Sequence, residues 1–285
     1  MKKLFFLFLL LAAGCSRPQG FTLKKIVSRH PAEIRWDVLS SLSEEELATI
    51  FDQSYTYLGS GNHTYAFASR DGNYVIKFFK QKHMRTQSWV DYLPLPAKSL
   101  FYPIEKIKQR TEKREKSFTS YKIAYEKLRE ETGLLYLHLN QGTHLGHTLT
   151  LMDQWGNPLE VKVDEMEFLV QKRATLAFDH LKMLLQKGER KRAVEAISSL
   201  LEVVAKRSQK GIYDRDLQFF KNFGFLEDQA IEIDIGEFKE DQVPLPAAEE
   251  LQILSYQIRD FVQAHAPEFV GEVCLEMENQ VETYR

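Results

Sequence analysis

The stretch 211–238 constrains what this chain can fold into more than any other part of its sequence. Two short apolar runs, Phe223–Leu226 and 230–233, are separated there by a polar turn. This pattern predicts a β-hairpin. Asn222 stands immediately before the first run and Asp234 immediately after the second. We therefore expect a closed hairpin to bring these two residues side by side.

Acidic residues precede the hairpin in the same stretch. Asp214 and Asp216 lie in the loop that leads into it. Carboxylate and amide oxygens are the ligands that Mg²⁺ prefers in proteins. We therefore expect Asp216, Asn222 and Asp234 to converge at one open end of a small sheet, where they can bind a metal ion or accept a proton.

A second motif lies nearer the N-terminus. The pattern predicts a strand that reaches Gly59, a turn through Gly61, a second strand, and a third strand that contains Lys77. Glycines allow backbone N–H groups to approach a phosphate closely. An unpaired ammonium inside an apolar strand is costly, so Lys77 requires an anionic partner.

The motifs of the first stretch resemble the catalytic and metal-binding loops of the protein-kinase-like fold. That family reads His-Arg-Asp-Leu, then Asn, then Asp-Phe-Gly. The corresponding residues here are Asp214-Arg215-Asp216-Leu217, Asn222 and Asp234-Ile235-Gly236. Asp214 replaces the family's His and Ile235 its Phe. Asn222 comes six residues after Asp216 (222 − 216), where the family has five.

The N-terminal motif resembles the same family. Gly59 and Gly61 are similar to its Gly-rich loop, with Thr64 where the third glycine would stand. Val75-Ile76-Lys77 is similar to the strand that carries its nucleotide-binding lysine. The resemblance covers roughly residues 57–238, in family order.

The resemblance implies an α+β, two-lobed protein-kinase-like fold. The small lobe would be an antiparallel sheet over residues 41–171, with an insertion at 80–117. The large lobe would be minimal and mostly helical, over 172–285, and would carry the catalytic and metal loops.

The resemblance also implies ATP and Mg²⁺ as ligands and assigns a role to each matched residue. Nucleotide binding falls to Gly59, Gly61, Lys77 and Gln171, the last at the hinge where the family holds the adenine edge. Asn222 and Asp234 would bind Mg²⁺. Asp216 would position the acceptor hydroxyl and take its proton, although Asp214 is the alternative base if the longer spacing shifts the register.

A helix predicted over 118–131 would supply the carboxylate that pairs with Lys77. Glu126, Glu130 and Glu131 are all available in this segment. The middle of the helix suits the family pattern, so we select Glu126. The apolar stripe of the helix favours Glu131 about equally.

The first fifteen residues predict an export signal. Lys2 and Lys3 precede an apolar run that is too short to span a membrane. Residues 11–15 resemble a bacterial lipobox that ends in Cys15, which implies lipidation of Cys15. The implied location is the bacterial cell envelope, with the protein anchored to a membrane and 16–40 as a tether. An ordinary secretory signal or an uncleaved anchor is the alternative.

Two function classes follow, and the net charge of −2 argues against nucleic acid as a partner. The first is an ATP- and Mg²⁺-dependent phosphotransferase whose acceptor is an unknown protein or small molecule. The second is a non-catalytic, pseudokinase-like module that binds nucleotide or another protein. Intact Lys77, Asp216, Asn222 and Asp234 favour the first. The replaced His, the replaced third glycine and the export signal favour the second.

Overall fold

The computed structural model describes residues 20–84, 104–142, 144–241 and 246–284. Cys15, the predicted signal peptide and the middle of the predicted insertion lie outside these ranges. In the ranges described, no helix has the length and apolar character that crossing a membrane requires.

The described chain alternates strands and helices. The strands are β1 (Tyr55–Ser60), β2 (Thr64–Ser69), β3 (Tyr74–Phe79), β4 (Leu134–His138), β5 (Thr148–Met152), β6 (Pro158–Lys162), β7 (Phe168–Lys172), β8 (Thr175–Leu176), β9 (Ile212–Asp214), β10 (Phe223–Leu226), β11 (Gln229–Glu232) and β12 (Phe238–Glu240). The α-helices are α1 (Glu44–Phe51), α2 (Gln81–Met84), α3 (Ile104–Lys127), α4 (Arg129–Thr132), α5 (Ala177–Gln186), α6 (Arg190–Gln209), α7 (Phe219–Asn222), α8 (Ala247–His265) and α9 (Val270–Thr283).

The N-terminal half is organised around a seven-stranded sheet in the order β4-β7-β3-β2-β1-β5-β6. Its neighbouring strands pair antiparallel, except that β1 and β5 run parallel. The predicted sheet is therefore present with one parallel pairing. Aromatic side chains from three of its strands, Phe67, Phe78 and Phe168, are fully buried in one core on this sheet.

The segment 21–30 of the predicted tether packs against this sheet, so the prediction of a tether is wrong there, whereas most residues of 31–40 are exposed. Phe21, Ile26 and Trp36 are all buried. The hydroxyl of Ser28 donates to the buried carboxylate of Glu167 at 2.8 Å. Apolar residues in a polar-looking segment gain free energy by joining the core, which a tether would not provide.

The described parts of the predicted insertion are 80–84, which contains the short helix α2, and the first half of helix α3, which runs without a break to Lys127. The predicted boundary at 117 is therefore wrong. Arg114, within the charged run, is buried and its guanidinium donates to Glu167 at 2.8 Å. This buried ion pair fixes the N-terminal part of α3 against the sheet.

The C-terminal half has a separate, mostly helical core. The stripe on α6, made by Ala193, Ile197, Leu200 and Val204, is buried against α8 and α9. Spacings of three and four residues place these side chains on one helix face. The sheet β11-β10-β8 lies beside this core, and the sheet β12-β9 contributes Ile212 and Phe238 to a third core around α3. The chain enters the first of them at β8, three residues after β7 ends at Lys172.

Candidate functional site

The predicted hairpin is confirmed, and it carries the acidic motif. Strands β10 and β11 pair antiparallel, with Phe223 opposite Glu232. The second strand is Gln229–Glu232, one residue earlier than the predicted 230–233. The backbone N–H of Ile233 donates to the carbonyl of Asn222 at 2.6 Å, and that of Asp234 lies 3.4 Å from the same oxygen. Asn222 and Asp234 are therefore neighbours at the open end of the hairpin.

The side chain of Asn222 is buried and holds the loop that precedes it. Its amide nitrogen donates to a carboxylate oxygen of Asp214 at 3.3 Å and also to the backbone carbonyl of Asp216. Because the nitrogen is used as a donor in the loop, the amide oxygen is the atom through which Asn222 can contact a cation.

The two aspartates of the loop have different environments. Asp214 is buried, and burial raises the pKa of its carboxyl to about 6, although the N–H of Asp216 and the Arg207 guanidinium oppose the shift. Its carboxylate accepts the backbone N–H of Asp216 at 3.0 Å. The carboxylate of Asp216 is exposed and accepts from the amide of Gln218 at 2.6 Å. Asp214 therefore holds the backbone of the loop, and the carboxylate of Asp216 is exposed to solvent.

Lys77 extends from the middle of β3 toward the hairpin. Its ammonium donates to the backbone carbonyl of Ile233 at 2.6 Å. Burial lowers the pKa of Lys77, and the nearby charge of Asp234 opposes that shift. Lys77 and Asp234 are 157 residues apart in the chain (234 − 77). The fold thus brings the two predicted motifs to one place.

The predicted pairing of Lys77 with Glu126 is wrong. Glu126 is exposed and lies 3.8 Å from Lys122 on the same helix. The alternative, Glu131, is in α4 and pairs with Lys210 at 2.5 Å. The α3 residue that faces Lys77 and Asp234 is Tyr121. Glu126 follows Tyr121 by five residues, which rotates it about 140° around the helix, away from the cleft.

Tyr121 lines the same part of the cleft as Lys77 and Asp234, and its hydroxyl lies beside Gly236. Burial raises the pKa of Tyr121, and the charges of Asp234 and Glu237 add to the shift. A side chain at Gly236 would place its Cβ 3.1 Å from this hydroxyl. Gly236 therefore allows the close approach of the loop after Asp234 to α3.

A cleft between the large sheet and the hairpin joins these residues. One part is a cavity of about 620 Å³, lined among others by Gly59, Gly61, Lys77 and Gln171. The adjoining part, of about 190 Å³, is lined by Gly61, Lys77, Asp216 and Asp234. Six of the predicted site residues therefore line one continuous cleft. Asn222 lies buried behind it.

The glycine loop between β1 and β2 covers one side of the cleft. The N–H of Gly61 donates to the carbonyl of Thr64 at 3.1 Å, which closes the turn. A Cβ placed on Gly59 or on Gly61 would meet nothing within 4 Å. Space for a ligand therefore remains next to both glycines.

Gln171 lines the cleft, but its groups are already used or enclosed. Its backbone lies in the sheet between Val75 and Leu134. Its amide nitrogen donates to the carbonyl of Thr132 at 2.9 Å, and its amide oxygen is buried without a partner among the described residues. Arg173 and Ala174, which follow β7, also line the cavity.

A buried charged network beneath the loop was missed in the sequence. Arg207 of α6 is fully buried and contacts Glu232 at 2.9 Å and Glu250 at 3.1 Å. Glu250 also accepts the backbone N–H of Asp214 at 3.1 Å. Arg207 follows Val204 by three residues, which puts it on the apolar face of its helix. This spacing was the signal in the sequence that Arg207 would be buried. The network supports the loop from below.

Comparisons with known proteins give a match only among solved structures. No family model matches the chain, and no curated protein matches it. The structure of WbdD with the kinase inhibitor LY294002 is 13% identical, with a TM-score of 0.40, over 79% of this chain and 45% of that one. The bifunctional kinase-methyltransferase WbdD is 12% identical, with a TM-score of 0.37, over 77% and 43%. This chain therefore spans less than half the length of those proteins.

Proposed function

We propose that this protein is an ATP- and Mg²⁺-dependent phosphotransferase of two-lobed, kinase-like architecture. The observation that carries the proposal is the convergence of Lys77, Asp216 and Asp234 on one cleft between the sheet core and the helical core, which a third core around α3 connects. A cation, an exposed carboxylate and a second carboxylate beside a buried amide are the groups that phosphoryl transfer requires. The two cores would be the two lobes.

The larger part of the cleft suits a nucleotide. Val75, Ala66 and Ile233 give it apolar walls on which a base can lie, and the segment after β7 closes its inner end. Lys77 lines both parts of the cleft, so its ammonium lies where the phosphates of a nucleotide would extend from the larger part into the smaller one. The open space beside Gly59 allows backbone N–H groups to approach an oxyanion.

The residues at the hairpin end fit a magnesium ion. Mg²⁺ in nucleotide sites takes one or two protein oxygens, and phosphates and water supply the rest. Asp234 offers an exposed carboxylate, and Asn222 offers its amide oxygen because its nitrogen is already a donor. When bound, the ion neutralises charge on the phosphates. The chain's own part is to hold these two oxygens next to Lys77.

Asp216 is the residue that acts on the acceptor. The oxygen of an acceptor hydroxyl forms a bond to the γ-phosphorus while the bond between that phosphorus and the ADP oxygen breaks. The hydroxyl proton passes to Asp216, whose carboxylate is exposed to the cleft. Asp214 is buried and engaged with the loop backbone, so it positions Asp216 and does not reach the acceptor.

Three isosteric variants test these roles. Asp216→Asn should abolish ATP turnover and leave stabilisation by Mg²⁺-ATP nearly intact, because it removes only the base. Asp234→Asn should remove both, because its carboxylate attracts the metal ion. Asp214→Asn tests the alternative base: it removes one of the two acceptor oxygens that hold the loop, so it should lower turnover less than Asp216→Asn does. If Asp214→Asn abolishes turnover while Asp216→Asn is silent, the assignment of the base is overturned.

A non-catalytic module that binds nucleotide is the second candidate. It is favoured by the position of Lys77, whose ammonium contacts the carbonyl of Ile233 and not a glutamate. Under this alternative, the wild-type protein binds Mg²⁺-ATP but shows no turnover with any acceptor. The same two assays therefore separate the candidates.

We further propose that Cys15 carries a lipid that anchors the protein in the bacterial cell envelope. Five residues, 16–20, separate Cys15 from Phe21. Fully extended, they reach about 17 Å. Phe21 packs against Tyr65 and Phe67 of the sheet, 5.4 and 4.8 Å between ring centroids. The anchor would therefore hold close to the membrane the face of the sheet that carries Tyr65 and Phe67, which is opposite the face where Ala66 lines the cleft.

A further inference from the structure

A polar cavity of about 350 Å³ lies beside the cleft. It is formed where the N-terminal half of α3 faces the loop that contains Asp216 and the loop that follows Asp234. The side chains that matter for its charge are His63, Glu112, Lys113, Lys116, Arg215 and Glu237.

This cavity and the cleft are neighbours. His63 and Glu237 line both of them. Arg215 of the cavity precedes Asp216 of the cleft directly in the chain. A molecule that fills the cavity can therefore place another of its groups at Asp216.

The cations of the cavity are only partly neutralised. Arg215 pairs with Glu237 at 2.8 Å, and this carboxylate is also 3.9 Å from His63. Lys113 and Lys116 are one turn apart on α3. Among the described residues, neither lysine has an ion-pair partner, although Glu112 lines the same cavity. Like charges at this spacing destabilise a helix.

The field of Lys113 reaches across the cavity. Burial and the Lys113 ammonium lower the pKa of His63, and the charges of Glu237 and Asp234 oppose that shift. A ring nitrogen of His63 is hydrogen-bonded to the hydroxyl of Ser117 at 3.2 Å. The lining has three cations, Lys113, Lys116 and Arg215, against the two carboxylates of Glu112 and Glu237, and this excess of positive charge attracts an anion.

We infer that this cavity binds the anionic group, a phosphate or a carboxylate, of a small hydroxyl-bearing acceptor. Lys113, Lys116 and Arg215 contact the anion, and a hydroxyl of the same molecule reaches Asp216. The inference rests on the proposed phosphotransferase and names its substrate class. It requires the anion and the nucleotide to be bound at the same time.

Thermal denaturation of the purified full-length protein tests the site with two probes, inorganic phosphate and malonate. Both are titrated without Mg²⁺ at constant ionic strength. The wild-type melting temperature should rise and saturate. The double variant Lys113→Met with Lys116→Met should need about tenfold more anion, since hydrogen bonds to charged groups are lost. A stronger response to phosphate indicates a phosphorylated acceptor, and a stronger response to malonate a carboxylated one.

Two matched variants separate this site from other effects. Lys108→Met removes an exposed lysine of the same helix that does not line the cavity, so its response should equal that of the wild type. It controls for general stabilisation of proteins by phosphate. Lys77→Met should lose the response to Mg²⁺-ATP and keep the response to the anion.

The outcomes are distinct. The inference is overturned if the wild type does not respond, if the double variant responds as the wild type does, or if bound Mg²⁺-ATP abolishes the response to the anion. The last result would make the cavity part of the nucleotide site. If Mg²⁺-ATP has no effect while the anion response remains and depends on Lys113 and Lys116, the proposed function fails and the anion site stands.

Discussion

Replacing Glu232 by glutamine should change how the stability of this protein depends on pH. Glu232 is fully buried and shares the Arg207 guanidinium with Glu250, while Asp214 lies close by. Burial raises the pKa of Glu232 to about 8, the neighbouring carboxylates add to the shift, and Arg207 only partly offsets it. Glutamine keeps the shape of the protonated acid and still accepts a hydrogen bond from Arg207.

The magnitude follows from the proton balance. The pKa of Glu232 is raised in the folded protein. Its contribution to the free energy of unfolding is therefore complete below about pH 4.5, the pKa of the group in an unfolded chain, and is lost as the pH rises through about 8. Each pH unit in which only the folded state keeps the proton costs about 1.4 kcal/mol. Between pH 6 and pH 8 the wild-type protein should therefore lose about 2 kcal/mol from this group.

Urea unfolding of the wild-type protein and of Glu232→Gln at pH 6, 7 and 8 measures the difference. The free energy of unfolding of the wild type, relative to the variant, should fall by about 2 kcal/mol over this range. Taking the difference removes the titration of all other groups. Equal pH dependence in the two proteins would refute the raised pKa of Glu232. It would also refute the argument that the one cation, Arg207, does not fully offset the effects of burial and of the nearby Glu250 and Asp214.

Two further predictions concern the same buried network and the N-terminal segment. Arg207→Met should lower the free energy of unfolding at pH 7 by about 3–5 kcal/mol, because it leaves the buried carboxylate of Glu250 without a cation and removes the hydrogen bond to Glu232; a loss below 1 kcal/mol in urea unfolding would contradict this. Cys15→Ser should release the protein from the membrane fraction or leave an unprocessed precursor, and unchanged fractionation and gel mobility would rule out the lipid anchor.

The hairpin and the glycine loop could be predicted because their signals are local. An apolar run, a polar turn and a second run define a hairpin over a dozen residues. That local pattern was enough to bring Asn222 and Asp234 together. The second strand begins one residue early because Gln229 pairs with Leu226 next to the turn. The burial of Glu232 has no local signal, because its contact with Arg207 spans 25 residues (232 − 207).

The partner of Lys77 could not be predicted because it depends on helix phase. The side of α3 that faces the cleft is set by packing of Phe118 and Tyr121 against the sheet, and this turns Glu126 toward solvent. The packing of 20–36 has a similar cause. Its apolar residues are too few to show a period, but Phe21 and Trp36 each meet a ring of the core.

The central claim is that Lys77, Asn222 and Asp234 form one site for Mg²⁺-ATP, and the melting temperature tests it most directly. A ligand at 100 times its dissociation constant adds about 2.7 kcal/mol. For a protein of this size, that should raise the melting temperature by roughly 5–10 °C. Glu126→Gln, an exposed control on α3, should show the same rise, and Asp234→Asn should lose it. No rise in the wild-type protein at millimolar nucleotide, with either Mg²⁺ or Mn²⁺, would contradict the claim.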